Sequence, residues 1–134
     1  MTQEDKELLL KDLCSRLPYG VKISVQSWDE REMEYVDRVD VLYSVNGDEY
    51  IKSVNEDYDF SLEDIKPYLF PLSSMTEEQK EEYADLQQRV IYNSKGVVNL
   101  DVAKYIGWCY KHHIDINNLI PMGLAIDATN LNIY

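Results

Sequence analysis

FSLEDIKPYLFPLSSMTEEQKEEY, residues 60–83, is the stretch on which the fold turns. Upstream of it the apolar residues alternate, which is the period of strands. Downstream they recur at three and four, which is the period of helices. Between the two lies an apolar strap, Pro67-Tyr68-Leu69-Phe70-Pro71-Leu72. Each proline pushes the residue before it, Lys66 or Phe70, out of the helical region, so the strap is predicted to be extended. Tyr68, Leu69, Phe70 and Leu72 need cover, so the strap reads as a clamp pinned between sheet and helices. Its proline spacing is not that of a PxxP peptide ligand. Ser61 heads a candidate capped turn. Thr76-Glu77-Glu78-Gln79 matches a capping box and opens a helix to about Tyr92, with Met75, Tyr83, Leu86, Val90 and Ile91 as its apolar face.

Working toward the N-terminus, Asn46-Gly47 predicts a two-residue hairpin turn, because such a turn needs positive φ at both central positions. That register sets Val45 opposite Asp48, Tyr43 opposite Tyr50 and Leu42 opposite Ile51, with the tyrosines as a cross-strand pair. Val39, Val41, Tyr43 and Val45 share one face of the strand before the turn, and the strand after it covers about Glu49–Val54. An earlier strand alternates Val21, Ile23 and Val25 with polar residues and continues to Trp28. The charged run Asp29–Glu34 reads as a loop, and Asn55–Phe60 as a loop or short edge strand. Residues 3–17 form a helix with Leu9, Leu10, Leu13, Cys14 and Leu17 as its stripe. Thr2 caps its start, and Pro18 and Gly20 end it.

Toward the C-terminus, Asn93-Ser94-Lys95-Gly96 breaks the helix begun at Thr76. Asn99 caps a last long helix, about Leu100–His112, with Val98 stapled onto Ala103. Gly107 inside it costs about 1 kcal/mol relative to Ala. With Ala103 it predicts a groove where another element crosses closely. Asp115 caps a short turn through Leu119 and Ile120 that Gly123 ends, and the tail from Leu124 to Tyr134 is weakly patterned.

The chain of 134 residues can bury a core without metal or disulfide. Cys14 and Cys109 each sit in an apolar helical pattern and read as small buried hydrophobes. No apolar run approaches a membrane span, and Met1–Asp5 is acidic, the opposite of a signal peptide, so a cytoplasmic location is expected. The formal net charge is −12 and uneven. Asp29–Asp85 carries 18 acidic and 5 basic residues, a net of −13, against 7 acidic and 8 basic elsewhere. Such a field disfavours direct nucleic-acid binding and favours either mere solubility or a basic protein partner.

Chemistry is sparsely signalled. Cys109, His112 and His113 are weak metal candidates: they share a helix end, but no second Cys/His pair completes four zinc ligands, and a helix C-terminus favours histidine without any metal. The acidic pairs Glu63–Asp64, Glu77–Glu78, Glu81–Glu82 and Asp57–Asp59 read as solvated faces. Asn55–Asp59 lacks the glycine and terminal glutamate of a calcium loop. No phosphate-binding, nucleophile-elbow or zinc-protease motif is present, and no cofactor is expected. Trp28, Tyr58, Tyr105 and Trp108 form the candidate interaction surface, since Tyr and Trp combine apolar area with a polar handle. For Tyr105 and Trp108, three apart on one helix face, packing against the sheet is the competing reading.

The segments LEDIKPYLFPLSSMTEEQKEEY (62–83) and YKHHIDINNLIPMGLAIDA (110–128) resemble a family of small uncharacterised proteins of gut bacteria and their phages, marked by KPYL-P-SSMTEE and HH-D-LI-GLA cores. The resemblance spans about 40 residues strongly. It implies a bacterial or phage intracellular origin and carries no activity, cofactor or catalytic residue.

The expectation is therefore one α+β domain over 1–134: a helix plus sheet half (1–60), the strap (61–75) and a helical half (76–134). An N-terminal helix precedes a three- or four-stranded antiparallel sheet, with a small partly closed barrel as alternative, and two longer helices pack on it. The leading function is a non-enzymatic protein-binding or regulatory module, a phage or mobile-element accessory, engaging a basic partner. The alternatives are an acidic DNA-mimic inhibitor and an enzyme whose site the sequence hides. A homo-oligomer is compatible with all three.

Overall fold

The structure, a computed structural model, describes residues 1–92 and 98–134, with side chains up to residue 88 and from residue 102. Helix α1 (Gln3–Arg16) starts at a capping box in which Thr2 Oγ1 accepts from the Asp5 amide and the Asp5 carboxylate accepts from the Thr2 amide. A 3-10 turn at Leu17–Tyr19 and Gly20, with φ of 66°, then stop the helix. Five strands follow, β1 (Lys22–Asp29), β2 (Glu34–Val45), β3 (Ile51–Ser53), β4 (Lys66–Leu69) and β5 (Ile126–Asp127), in the spatial order β3-β2-β1-β4-β5. All neighbours are antiparallel except β4 and β5. Helices α2 (Glu77–Tyr92) and α3 (Val98–Lys111) complete the fold. The class is the α+β arrangement expected, with an open sheet rather than a barrel and with a fifth strand taken from the tail.

The core explains why these elements hold. Leu9 and Leu13 of α1 meet Val21, Ile23 and Val25 of β1, Leu42 of β2 and Ile51 of β3. Phe60, Leu62, Ile65 and Leu69 fill the space below, and Leu119 and Leu124 close it. Each fully buried aliphatic side chain contributes about 1.5–3 kcal/mol. Helix α2 packs against α3, which in turn touches α1. The Thr76 capping box is present, with Gln79 N–H donating to Thr76 Oγ1 at 3.1 Å and Thr76 N–H to Gln79 Oε1 at 3.0 Å.

The strap is neither loop nor linker. Its first half is β4, hydrogen-bonded to β1 on one side and to β5 on the other. Phe70 continues the ladder: its amide donates to the His113 carbonyl at 2.8 Å, and its carbonyl accepts from the Asp115 amide at 2.9 Å. The Leu69 carbonyl accepts from Ala128 at 2.8 Å. Pro67, Tyr68 and Leu69 are buried, Phe70 is half-buried and Leu72 is exposed. The clamp thus grips through Pro67–Phe70 and ends before Leu72.

Several local expectations are corrected. The Asn46-Gly47 turn widens: Val45 pairs with Ile51 and Leu42 with Ser53, and Tyr43 is squeezed out as a bulge. Positive φ falls at Gly47 (118°) rather than at Asn46. Pairing beyond the hairpin outweighs the local turn preference, because Ile51 bridges Phe60 and the Asp48 carbonyl accepts from the Leu62 amide at 2.7 Å. Tyr43 and Tyr50 are therefore both exposed and do not face each other across the ladder. The buried face of β2 is Asp40 and Leu42, so Val39 and Tyr43 point to solvent. Asp29–Glu34 is no open loop but a tight turn between two long paired strands. Cys14 is exposed, since the buried phase of α1 runs Leu9, Asp12, Leu13, Arg16. Helix α3 already includes Asn99, so that residue is not its cap. At Gly107 an added Cβ would meet only the Tyr19 hydroxyl at 3.6 Å, an ordinary contact and not a close crossing. The break expected at Asn93–Gly96, and the side chains of Val90 and Ile91, lie outside what is described.

Candidate functional site

The β1–β2 ribbon forms an arm. Its tip is set by Asp29, whose Oδ1 accepts from the Arg31 amide at 2.9 Å and from the Glu32 amide at 3.4 Å. Met33 completes the turn with φ of 54°. Ladder register then decides which side chains share the outer face: Trp28 opposite Tyr35, Gln26 opposite Asp37 and Ser24 opposite Val39. The Trp28 and Tyr35 rings meet edge to face, centroids 5.1 Å apart at 71°. They remain 44% and 63% exposed. Exposed Asp37 lies on the same outer face, Glu30 and Glu32 belong to the turn at the tip, exposed Glu34 alternates to the opposite face, and Arg38 reaches Asp29 at 3.8 Å.

The core side of the arm is fastened. Between β3 and β4 the chain crosses β2 and β1, as the strand order requires. Buried Asp40 holds that crossing by accepting from the Asn55 amide at 3.1 Å and from Asn55 Nδ2 at 2.9 Å. Burial pushes the Asp40 carboxyl up, but neighbouring Ser53 and the donors of Val41 and Asn55 outweigh it and hold the group below its ordinary value. Tyr58 is pinned as well, its hydroxyl donating to the Gln26 carbonyl at 2.8 Å and its ring against Phe60. Burial and the Glu56 charge raise its hydroxyl. The acidic run 55–59 is thus a crossover strap, and Tyr58 ties it to β1 while remaining 42% exposed.

A second cluster lies under α1. Arg16 Nε and Nη2 donate to the two Asp12 oxygens at 2.7 and 3.1 Å, and Nη2 also reaches the Ile114 carbonyl at 2.7 Å. Asn117 Nδ2 donates to Asp12 Oδ1 at 2.8 Å, and the guanidinium lies 4.8 Å from the Tyr110 ring centre. Both charged side chains are fully buried. Arg16 Nη1 has no hydrogen-bond partner among the described residues. Both Asp12 oxygens are engaged, so the carboxylate latches α1 to the segment after α3. A groove of about 560 Å³ opens beside it, lined in part by Cys14, Tyr110 and Asn117.

The histidines belong to a helix end. His113 takes φ of 59° as α3 closes, with Ile114 N–H donating to the Cys109 carbonyl at 2.9 Å and His113 N–H to the Tyr110 carbonyl at 3.1 Å. Its ring stacks on Tyr134, centroids 4.0 Å apart. Burial, with the charges of Arg16, His112 and Lys22, lowers its pKa to about 4. Tyr134 closes the tail: its hydroxyl donates to the Tyr68 carbonyl at 2.8 Å and accepts from the Lys22 amide at 2.8 Å. His112 instead packs on Trp108, 4.6 Å between centroids. Cys109 is fully buried, and burial pushes its thiol up to about 11. Among the described residues no group of three or more His, Cys, Asp or Glu is placed to hold a metal ion.

Tyr105 and Trp108 are half-buried in the α2–α3 seam. The Tyr105 and Tyr83 hydroxyls lie 2.9 Å apart, and Trp108 Nε1 donates to Glu82 at 2.8 Å. A shallow groove of about 550 Å³ runs beside them past Tyr19, Leu86 and Gly107. Of the four aromatic candidates, Trp28 and Tyr58 are exposed and Tyr105 and Trp108 half-buried; Trp28 shares the outer face of the arm with Tyr35 and Asp37. Tyr35, Asp37 and Val39 were not legible as its companions. Their signal is the alternation of β1 continued through Trp28 and mirrored after a four-residue turn. The chain matches no family model, no curated protein and no solved structure.

Proposed function

We propose that the chain is a non-enzymatic protein-binding module that captures a basic partner on the outer face of the β1–β2 arm. The observation that carries this reading is the exposed Trp28–Tyr35 pair at the end of an acidic two-stranded ribbon, with Asp37 on the same face. Residues 29–40 carry six acidic and two basic side chains. A lysine or arginine cation over an indole face is worth about 0.5–1 kcal/mol at an exposed site. The surrounding carboxylates would steer such a partner in and set its register. The engaged oxygens of Asp12 and the raised thiol of Cys109 support a binding role over a catalytic one. No helix of the described residues is long and apolar enough to cross a membrane. The family resemblance suits a bacterial or phage accessory.

The test is a titration of an arginine- and lysine-rich peptide against its glutamate counterpart, at low and high salt, with wild type and Trp28→Ala. The basic peptide should bind, weaken as salt rises, and lose affinity severalfold in the variant. Equal binding of both peptides, or indifference to the loss of Trp28, would remove the arm from the account.

A further inference from the structure

We infer that the basic partner docks as an added strand on the free edge of β2, Glu34–Val39; this rests on the arm reading above. The ladder itself identifies the edge. Strand β3 joins β2 only from Leu42 onward, so among the described residues no strand lies beside Glu34–Val39 on the side away from β1. Backbone parity then says which groups are available. Leu42 N–H donates to the Val21 carbonyl, so even-numbered β2 residues bond to β1. Val41 already accepts from Val54 on the other side. Tyr35, Asp37 and Val39 therefore turn both their amide and their carbonyl toward the open edge. These are the same three residues whose side chains form the outer face with Trp28.

An added strand would gain up to six backbone hydrogen bonds from this run, two for each outward-facing residue, and its side chains would alternate over the two faces. Three cross-strand positions fix its chemistry: an apolar residue opposite Tyr35, a cation opposite Asp37 and an apolar residue opposite Val39. A second copy of this chain fits poorly, because the register that pairs all three outward-facing residues sets Asp37 directly opposite Asp37. Exposed edges are commonly blunted by charges or bulges. Here the bulge sits at Tyr43, beyond the run, and the charge at Asp37 selects a partner's sign instead of repelling every strand.

The probe is the capped peptide Arg-Val-Thr-Lys-Thr-Val-Arg, whose lysine falls opposite Asp37 when its valines face Tyr35 and Val39. Amide hydrogen exchange of the full chain is followed with and without it. The peptide should slow exchange at Tyr35, Asp37 and Val39 and leave Glu34, Val36 and Arg38, already bonded to β1, unchanged. N-methylation of both peptide valines should cost roughly two- to tenfold in affinity per hydrogen bond removed, while N-methylation of both threonines should not. Salt-sensitive binding without this alternation would overturn strand addition and leave the acidic-arm reading standing. No binding would overturn both. Alternating protection that rises with protein concentration in the absence of peptide would make a second copy the occupant and overturn the basic partner.

Discussion

Replacing Asp12 by alanine removes the one carboxylate that, among the described residues, meets the Arg16 guanidinium in a site where neither side chain is exposed. The wild-type arrangement gives Arg16 two bonds to Asp12 and one to the Ile114 carbonyl. The variant leaves a full charge with one acceptor and leaves the Asn117 amide only its longer bond to the Tyr110 hydroxyl at 3.4 Å. Breaking a buried pair from one side costs about 3–5 kcal/mol, because the remaining ion is left uncompensated. A domain of this size holds about 5–15 kcal/mol in total, so roughly a fifth or more of its stability is at stake. Urea unfolding of Asp12→Ala should show that loss, and thermal unfolding a fall of roughly 10 °C or more. Arg16→Met should be comparable. The pair Asp12→Ala with Arg16→Met should lose clearly less than the two single losses combined, since the desolvation cost of both ions leaves with them. A loss below about 1 kcal/mol for Asp12→Ala, or strictly additive losses, would refute the buried-latch reasoning.

Other outcomes follow from the same geometry. Leu69→Ala should cost about 2–5 kcal/mol, Phe70→Ala, half-buried, about 1–3, and Leu72→Ala under about 1, measured by urea unfolding; equal losses at 69 and 72 would place the strap elsewhere. Gly107→Ala should raise stability by up to about 1 kcal/mol, since the new methyl meets only an ordinary contact; destabilisation would mean a tighter crossing than 3.6 Å. His113 is held near 4 against an ordinary 6.5, so its neutral form belongs to the fold. Stability should be whole above pH 6.5 and decline as pH falls toward 4, by at most about 3 kcal/mol from this group. The His113→Asn variant, which also accepts positive φ, should lack that part of the decline; identical profiles would count against it.

How much of this was legible follows from what sequence patterns encode. Thr2, Thr76, Ser61 and Asp115 announced their caps because capping is decided within a few residues. The strap's extension was written in Pro67 and Pro71, and its burial in Tyr68 and Leu69. The Asn46-Gly47 register failed because Ile51 answers to Phe60, a partner no local rule can see. Strand β5 was illegible for the same reason: two residues become a strand only because β4 offers an edge. Asp12 and Arg16 share one stripe with Leu9 and Leu13, but a stripe drawn through apolar residues alone passes over a buried ion pair. On the arm, Trp28 was visible as an aromatic, whereas its face was not. That face depends on Asp29–Glu34 being a tight turn rather than a loop, which brings Tyr35, Asp37 and Val39 into line.

The most direct measurement is the amide and indole NMR spectrum of the chain during titration with the basic peptide. Shifts are expected at Trp28, Tyr35, Asp37 and Val39, fading in Trp28→Ala and at high salt. Shifts gathered instead at Tyr105, Trp108 and the α2–α3 groove, with the arm unmoved, would contradict the claim that the β1–β2 arm is the binding surface.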